Sequence, residues 1–166
     1  MRLRIPAAIA LSLVAACPNL GGVRPLYGPV PGSIALELDA APDAVIAAAA
    51  RDVAAVGFRV AASATNEGYL ETEWFDVAAH RSVTARARDL DRVVKLRFFA
   101  DPTAGKTHLA AECVLRIADD PSLPPRDLER MVPDSTPGRV LLDSIIGRLK
   151  VEFPSPAPAP GNPARP

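Results

Sequence analysis

Residues 92–117 read RVVKLRFFADPTAGKTHLAAECVLRI, and this stretch decides the fold of the chain. Two runs with an apolar side chain at every second position flank a loop predicted at residues 101–105. A period of two is typical of strands, whose successive side chains point to opposite faces. The pattern predicts strands at residues 92–99 and 107–117. Strands joined by so short a loop pair antiparallel.

The alternation also assigns each side chain of these strands to a face. The side chains predicted to point into the core are Val94, Leu96, Phe98, Leu109, Ala111, Cys113, Leu115 and Ile117. His108, Glu112 and Arg116 are predicted to point to solvent. Because His108 and Cys113 are five residues apart, they fall on opposite faces, which argues against a nucleophile and base pair. Cys113 is predicted to be a core thiol.

Three further strands are predicted upstream. Residues 33–39 and 58–63 alternate in the same way, and residues 69–75 follow a turn at residues 66–68. The last two strands and their turn form a hairpin. The side chains predicted to point inward are Ile34, Leu36, Leu38, Phe58, Val60, Ala62, Leu70, Thr72 and Trp74.

Two long helices are predicted. The first begins at Pro42, since proline suits the first helical turn, and ends at Gly57 in a left-handed cap. The second begins after Thr136, whose side chain is a good N-cap. Its predicted apolar stripe is Val140, Leu141, Ile145, Ile146 and Leu149. A further helical turn or two is predicted at residues 126–131.

The order of elements predicts an α+β fold. Short connections make an antiparallel sheet of four to five strands with one apolar face, and two amphipathic helices cover that face to give a two-layer sandwich. We assign residues 33–153 to this single domain. Residues 76–90 stay ambiguous, with a short strand possible around residues 83–87.

The N-terminus is predicted to be an export signal covering residues 1–16. Two arginines precede a twelve-residue apolar run, which is shorter than the roughly 20 residues of a membrane-spanning helix. Residues 14–17, VAAC, resemble the lipobox of bacterial lipoproteins, which implies cleavage before Cys17 and acylation of that residue. Pro18 follows, a pattern that suggests the outer membrane. The alternative is an ordinary secretory signal cut after Ala16.

Both flanks of the predicted domain are rich in proline. Residues 17–32 are interpreted as a lipidated, flexible tether. Residues 154–166 are interpreted as a disordered, extended tail, because a segment with so much proline builds no core.

The first hairpin carries a family resemblance. Residues 53–60, VAAVGFRV, followed by residues 68–74, GYLETEW, resemble repeats of the BamC (NlpB) lipoprotein family. The matching positions in the second strand are Gly68, Leu70, Thr72 and Trp74. The resemblance implies a helix-grip-like domain. It also implies an accessory role in outer-membrane protein assembly, with envelope proteins such as a β-barrel assembly complex as partners.

Residues 24–28, RPLYG, are similar to a segment of LptE-type lipopolysaccharide-assembly lipoproteins. The alternative for this stretch is a Pro/Gly tether with one aromatic residue. A carrier of a small ligand, lipid or lipopolysaccharide is therefore the alternative function. It predicts an apolar cavity lined by Leu70, Leu96, Leu109 and Ile145.

Composition and residue spacing argue against nucleic-acid binding, metal binding and catalysis. The precursor has 19 basic and 19 acidic side chains, so no excess of positive charge points to nucleic acid. The two histidines have no metal-ligand spacing, and Glu71 and Glu73 carry no sign of an acid–base pair. The sequence predicts a protein that is not an enzyme and has no cofactor or metal.

A basic stretch lies at residues 81–97. Its cations are Arg81, Arg86, Arg88, Arg92, Lys95 and Arg97. They are a candidate interaction surface for anionic headgroups or an acidic partner. The alternative is a solvated strand face whose cations pair with Glu71, Glu73 and Glu112 across the sheet.

Overall fold

A computed structural model describes residues 22–84 and 92–154. The predicted signal at residues 1–16, the lipidation residue Cys17 and the tail beyond residue 154 lie outside the described residues, as do Arg86 and Arg88. The predicted short strand around residues 83–87 falls partly outside them. The described part places a short strand slightly earlier, at Arg81–Ser82.

The α+β sandwich is confirmed, with more strands than the four to five predicted. Within residues 22–84 and 92–154, eight strands form one sheet, whose longest path runs β1-β7-β6-β3-β2 with antiparallel neighbours. The strands are β1 Ile34–Leu38, β2 Val60–Ala64, β3 Tyr69–Thr72, β4 Phe75–Asp76, β5 Arg81–Ser82, β6 Val93–Thr103, β7 Lys106–Arg116 and β8 Glu129–Met131. The helices are α1 Pro42–Ala55 and α2 Pro137–Glu152.

The core lies between the helices and the inner face of the sheet. The sheet contributes Leu70, Leu96, Phe98 and Leu109 among others, and α1 contributes Val45, Ile46, Ala49 and Val53. From α2 come Leu142, Ile145, Ile146 and Leu149. Val94, Leu96 and Phe98 point inward as predicted, and so do Leu109, Ala111 and Cys113. Alternation in β6 and β7 therefore assigned the inner face correctly.

The β6–β7 hairpin is longer than the sequence pattern indicated. The predicted loop at residues 101–105 is wrong over its first three positions, because β6 continues to Thr103 and pairs with Lys106. The turn consists of Ala104 and Gly105, with φ of 45° and 84°. Two positive φ values are the geometry of a tight type I′ hairpin turn.

Trp74 lies on the opposite face from the one predicted. β3 ends at Thr72 and β4 begins at Phe75, so three positions rather than two separate consecutive inward side chains. Phe75 is fully buried and stacks on Phe58, with 4.2 Å between ring centroids. Strand parity changes at this break, and Trp74 is half-buried on the outer face.

Smaller corrections concern strand and helix ends. Ile117 and Val60 are each 40% exposed, because Ile117 follows the end of β7 and a bulge interrupts β2 after Val60. In α2, Val140 is exposed and Leu142 is buried in its place. The helical turns predicted at residues 126–131 are wrong beyond Leu128, where the chain enters β8 and pairs with β7.

Candidate functional site

The outer face of the sheet carries a cluster of charged side chains in place of a solvated surface. We call it the ion cluster. Its members are Glu71, Lys95, Arg97, Glu112, Arg126 and Glu129. The three cations and three carboxylates balance, so every charge in the cluster has an opposite charge in contact.

Arg97, from the middle of β6, is the centre of the ion cluster. Its side chain is only 4% exposed. It donates to Glu129 at 2.6 and 2.9 Å, to Glu112 at 3.1 Å and to Glu71 at 3.0 Å. Burial alone would lower the pKa of Arg97, but the hydrogen bonds and charge of Glu129 outweigh it and raise the pKa. The guanidinium is therefore permanently charged.

Glu71, on the outer face of β3, is held ionised. Lys95 and Tyr69 both donate to its carboxylate. Burial would raise the pKa of Glu71, but these hydrogen bonds and the charge of Arg97 outweigh burial and lower the pKa to about 2. Burial together with the bond to Glu71 raises the pKa of Tyr69. Glu71 is thus a structural anion and lacks the raised pKa of a general acid.

Glu112 points to the outer face as predicted but is completely buried there. Arg126 donates to both of its carboxylate oxygens, at 2.5 and 2.9 Å. The backbone N–H of Val30 donates to it at 2.8 Å. A buried carboxylate needs such donors, because leaving it unpaired costs several kcal/mol.

Residues 22–32 cover the ion cluster, and we call them the N-terminal strap. Tyr27 stacks against two guanidiniums, with 4.7 Å from its ring centroid to Arg126 and 5.7 Å to Arg97. Arg126 also donates to the carbonyl of Gly28 at 2.8 Å. The segment predicted to be a flexible tether thus packs along the outer face of the sheet.

Arg24 holds the far end of the strap. Its backbone N–H and its guanidinium donate to Glu67 at 2.7 and 3.0 Å. It also pairs with Asp101 at 2.8 Å and lies over the Phe99 ring. The strap therefore crosses the sheet from β1 to the turn between β2 and β3.

A concave surface, which we call the Trp74 groove, borders the ion cluster. Trp74, Lys95 and Arg116 line it, together with Arg59 on one side and the prolines at 124 and 125 on the other. The more enclosed half has a volume of about 330 Å³. Lys95 lies 5.0 Å from the Trp74 ring centroid. An aromatic face beside cations suits a protein partner with apolar and acidic groups.

The described residues of the predicted basic surface lie in three different environments. Lys95 and Arg97 belong to the ion cluster, where they pair with Glu71 and Glu112 as the alternative interpretation predicted. Arg92 pairs with Asp76 at 2.6 Å, and Arg81 is exposed at the end of the sheet. The sequence missed Arg126, because a single short helical turn gives no periodic signal of what its side chains contact.

The histidines and Cys113 are not brought together. His108 is partly exposed and contacts Glu37 at 2.8 Å, whereas Cys113 is buried beneath α2. Burial raises the pKa of the Cys113 thiol. Among residues 22–84 and 92–154, no group of three or more His, Cys, Asp and Glu side chains is arranged to hold a metal ion.

The four residues that a carrier would need around an apolar cavity are in the packed core. Leu70, Leu96, Leu109 and Ile145 are each fully buried in one continuous cluster. The depressions found on the described residues are lined by other side chains. The carrier alternative gains no support from this packing.

Comparisons with known proteins add no relative: neither protein-family models nor curated proteins match this chain. Within the described part of the chain, neither helix combines the length and the apolar composition that crossing a bilayer requires.

Proposed function

We propose that this chain is a lipid-anchored lipoprotein of the bacterial cell envelope, attached to the outer membrane and facing the periplasm. The observation that carries the proposal is the lipobox-like stretch at residues 14–17, which ends five residues before the docked strap. Several acyl chains on one cysteine anchor a protein firmly, since each buried methylene contributes about 0.8 kcal/mol.

Its role is that of a non-enzymatic accessory subunit in outer-membrane protein assembly. The charged side chains on the outer face serve the fold, since they pair with one another beneath the strap. The Trp74 groove is the surface offered to a partner. Trp74 is one of the residues that resemble the BamC motif, and its outward position suits an aromatic contact at an interface.

Acylation is tested by metabolic labelling with radioactive palmitate in cells that produce the wild type or Cys17→Ala. Label on the wild type alone, with a matching mass increase, supports the anchor. An unlabelled wild type contradicts it.

The assembly role is tested by co-purification from detergent-solubilised envelopes. Wild type and Val140→Ala, which removes an exposed apolar side chain on α2, are expected to retain subunits of a β-barrel assembly complex. Trp74→Ala is expected to lose most of them while the melting temperature changes little. Equal recovery with all three proteins contradicts a role for the groove.

A further inference from the structure

Because the strap is docked on the domain, only a short length of chain separates the folded domain from the proposed lipid. Five residue steps separate Cys17 from Gly22, the first described residue. A chain spans at most about 3.6 Å per residue, so Gly22 lies no more than about 18 Å from the acylated residue.

The strap reaches the domain at one corner. An added methyl group at Gly22 would lie 2.8 Å from the Glu67 carboxylate, and Arg24 is bound to both Glu67 and Asp101. Asp101 and Pro102 belong to the last part of β6, next to the β6–β7 turn. We call this end of the sheet the anchor corner.

The Trp74 groove lies toward the opposite end of the sheet. Phe75, next to Trp74, pairs with Val94 near the start of β6, whereas Thr103 ends β6 at the anchor corner. β6 has 11 residues, and a rise of about 3.3 Å per residue separates its ends by about 33 Å. The two ends of the domain therefore differ in distance from whatever holds Cys17.

We propose that the strap, because it is docked rigidly on the sheet, fixes the orientation of the domain on the bilayer. The anchor corner faces the lipid headgroups, and the Trp74 groove faces away from them, toward a protein partner. The corner carries Asp43, Glu67 and Asp101 against Arg24, so it lies beside the headgroups without entering the apolar layer. This orientation rests on the proposed lipid anchor at Cys17.

Energy transfer to the membrane tests the orientation. The acylated full chain carries a donor dye on Thr103→Cys or on Ser135→Cys, in vesicles of phosphatidylethanolamine and phosphatidylglycerol with an acceptor on the headgroup. Both sites are exposed, and Ser135 lies beside Val77, just past the β4 residue that pairs with the start of β6. The buried Cys113 takes no dye. Since β6 separates these ends, transfer from position 103 is expected to exceed that from 135 at least about twofold.

A matched control variant lengthens the chain between Cys17 and the strap and leaves the sequence of the domain unchanged. A twelve-residue Gly/Ser insertion between Gly21 and Gly22 leaves the contacts of Arg24 and Tyr27 in place. It behaves as a random coil, so the difference between the two dye positions is expected to disappear. Equal transfer in the unmodified chain, stronger transfer from position 135, or a difference that survives the insertion overturns the proposal.

A second anchor separates this result from the proposed acylation. If mass spectrometry finds no lipid on Cys17, residues 18–166 are held instead by a hexahistidine tag in place of that cysteine, on vesicles with a nickel-chelating lipid. If transfer from position 103 again exceeds transfer from position 135, the result supports orientation by the docked strap, although Cys17 is not acylated. Equal transfer from the two positions under this anchor overturns the proposal that the strap orients the domain.

Discussion

Arg97 and Glu129 form a bidentate ion pair, in which each terminal guanidinium nitrogen donates to a different carboxylate oxygen, at 2.6 and 2.9 Å. Arg97 lies on β6 and Glu129 on β8, with β7 between them. The pair therefore joins two strands that share no backbone hydrogen bonds. A bidentate geometry gives direction as well as energy, so it fixes where the chain returns to the sheet after residues 117–128.

Replacing Arg97 by methionine is expected to destabilise the domain strongly. The change leaves Glu129 buried without its main partner and removes one of the donors to Glu112. Breaking a buried pair on one side typically costs about 3–5 kcal/mol. Urea unfolding measures the loss. Arg81→Ala, at an exposed cation, serves as the control and is expected to stay within about 0.5 kcal/mol of the wild type. A loss below about 1 kcal/mol for Arg97→Met would contradict the buried network.

Stability is expected to fall in acid because of Glu71. Its pKa is about 2 in the folded protein against an ordinary value of 4.5. The ionised carboxylate therefore adds stability that is fully present above pH 4.5 and is lost as the pH falls toward 2. A difference of this size sets an upper limit of about 3 kcal/mol. Solvent screening lowers the contribution below that limit, because Glu71 is only partly buried.

Glu71→Gln is the variant that isolates this contribution. Its free energy of unfolding, measured by urea at several pH values between 2 and 7, is expected to be lower than that of the wild type at neutral pH and to approach it near pH 2. Glu73→Gln, two residues along the same chain, is the control and should keep the acid dependence of the wild type. Parallel curves for wild type and Glu71→Gln would contradict the assignment.

Sequence patterns identified what depends on periodic burial. The pairing of β6 with β7 and the existence of both long helices are predicted correctly, because their apolar residues recur with the period of the element. The same rule failed at Trp74, since it assumes an unbroken strand. One extra residue between the inward side chains of Thr72 and Phe75 shifts the alternation, so the residues that follow point to the face opposite the predicted one.

The outer face was beyond prediction for a different reason. Charged side chains such as Lys95, Arg97 and Glu112 at outward positions are usual on solvated strands. The strap and Arg126 contact Arg97 and Glu112 from segments that are far away in sequence and have no regular strand period. Contacts made by segments without a regular period cannot be predicted from the sequence around the contacted residue. The ion cluster is therefore visible only in the folded structure.

Gly68→Ala is expected to destabilise the hairpin that carries the BamC-like motif. Gly68 has φ of +64°, and an added Cβ would lie 1.9 Å from the Ala100 carbonyl oxygen on β6. The backbone of β3 or β6 must shift to relieve that contact. The shift would also disturb the hydrogen bond that the Ala100 N–H donates to the Gly68 carbonyl. The strained conformation alone costs about 1–3 kcal/mol, and thermal unfolding should show a larger total loss.

Gly147→Ala is the matched substitution with the opposite expected sign. Gly147 is exposed in α2, and an added Cβ would meet nothing within 4 Å. Alanine is favoured over glycine inside a helix by about 1 kcal/mol. The melting temperature is therefore expected to rise. A loss of stability with Gly147→Ala would show that this helix face is covered in the folded protein.

The Cys113 thiol is expected to react only when the whole domain unfolds. It is fully buried, its pKa is raised by burial, and its sulfur would lie 3.2 Å from a Cβ added at Gly138 of α2. Core positions of this kind open through global unfolding. Thiol labelling of Cys17→Ala in increasing urea should therefore accelerate with the same denaturant dependence as equilibrium unfolding. Labelling that is fast in the absence of urea, or insensitive to urea, would instead mean that α2 separates from the sheet while the rest stays folded.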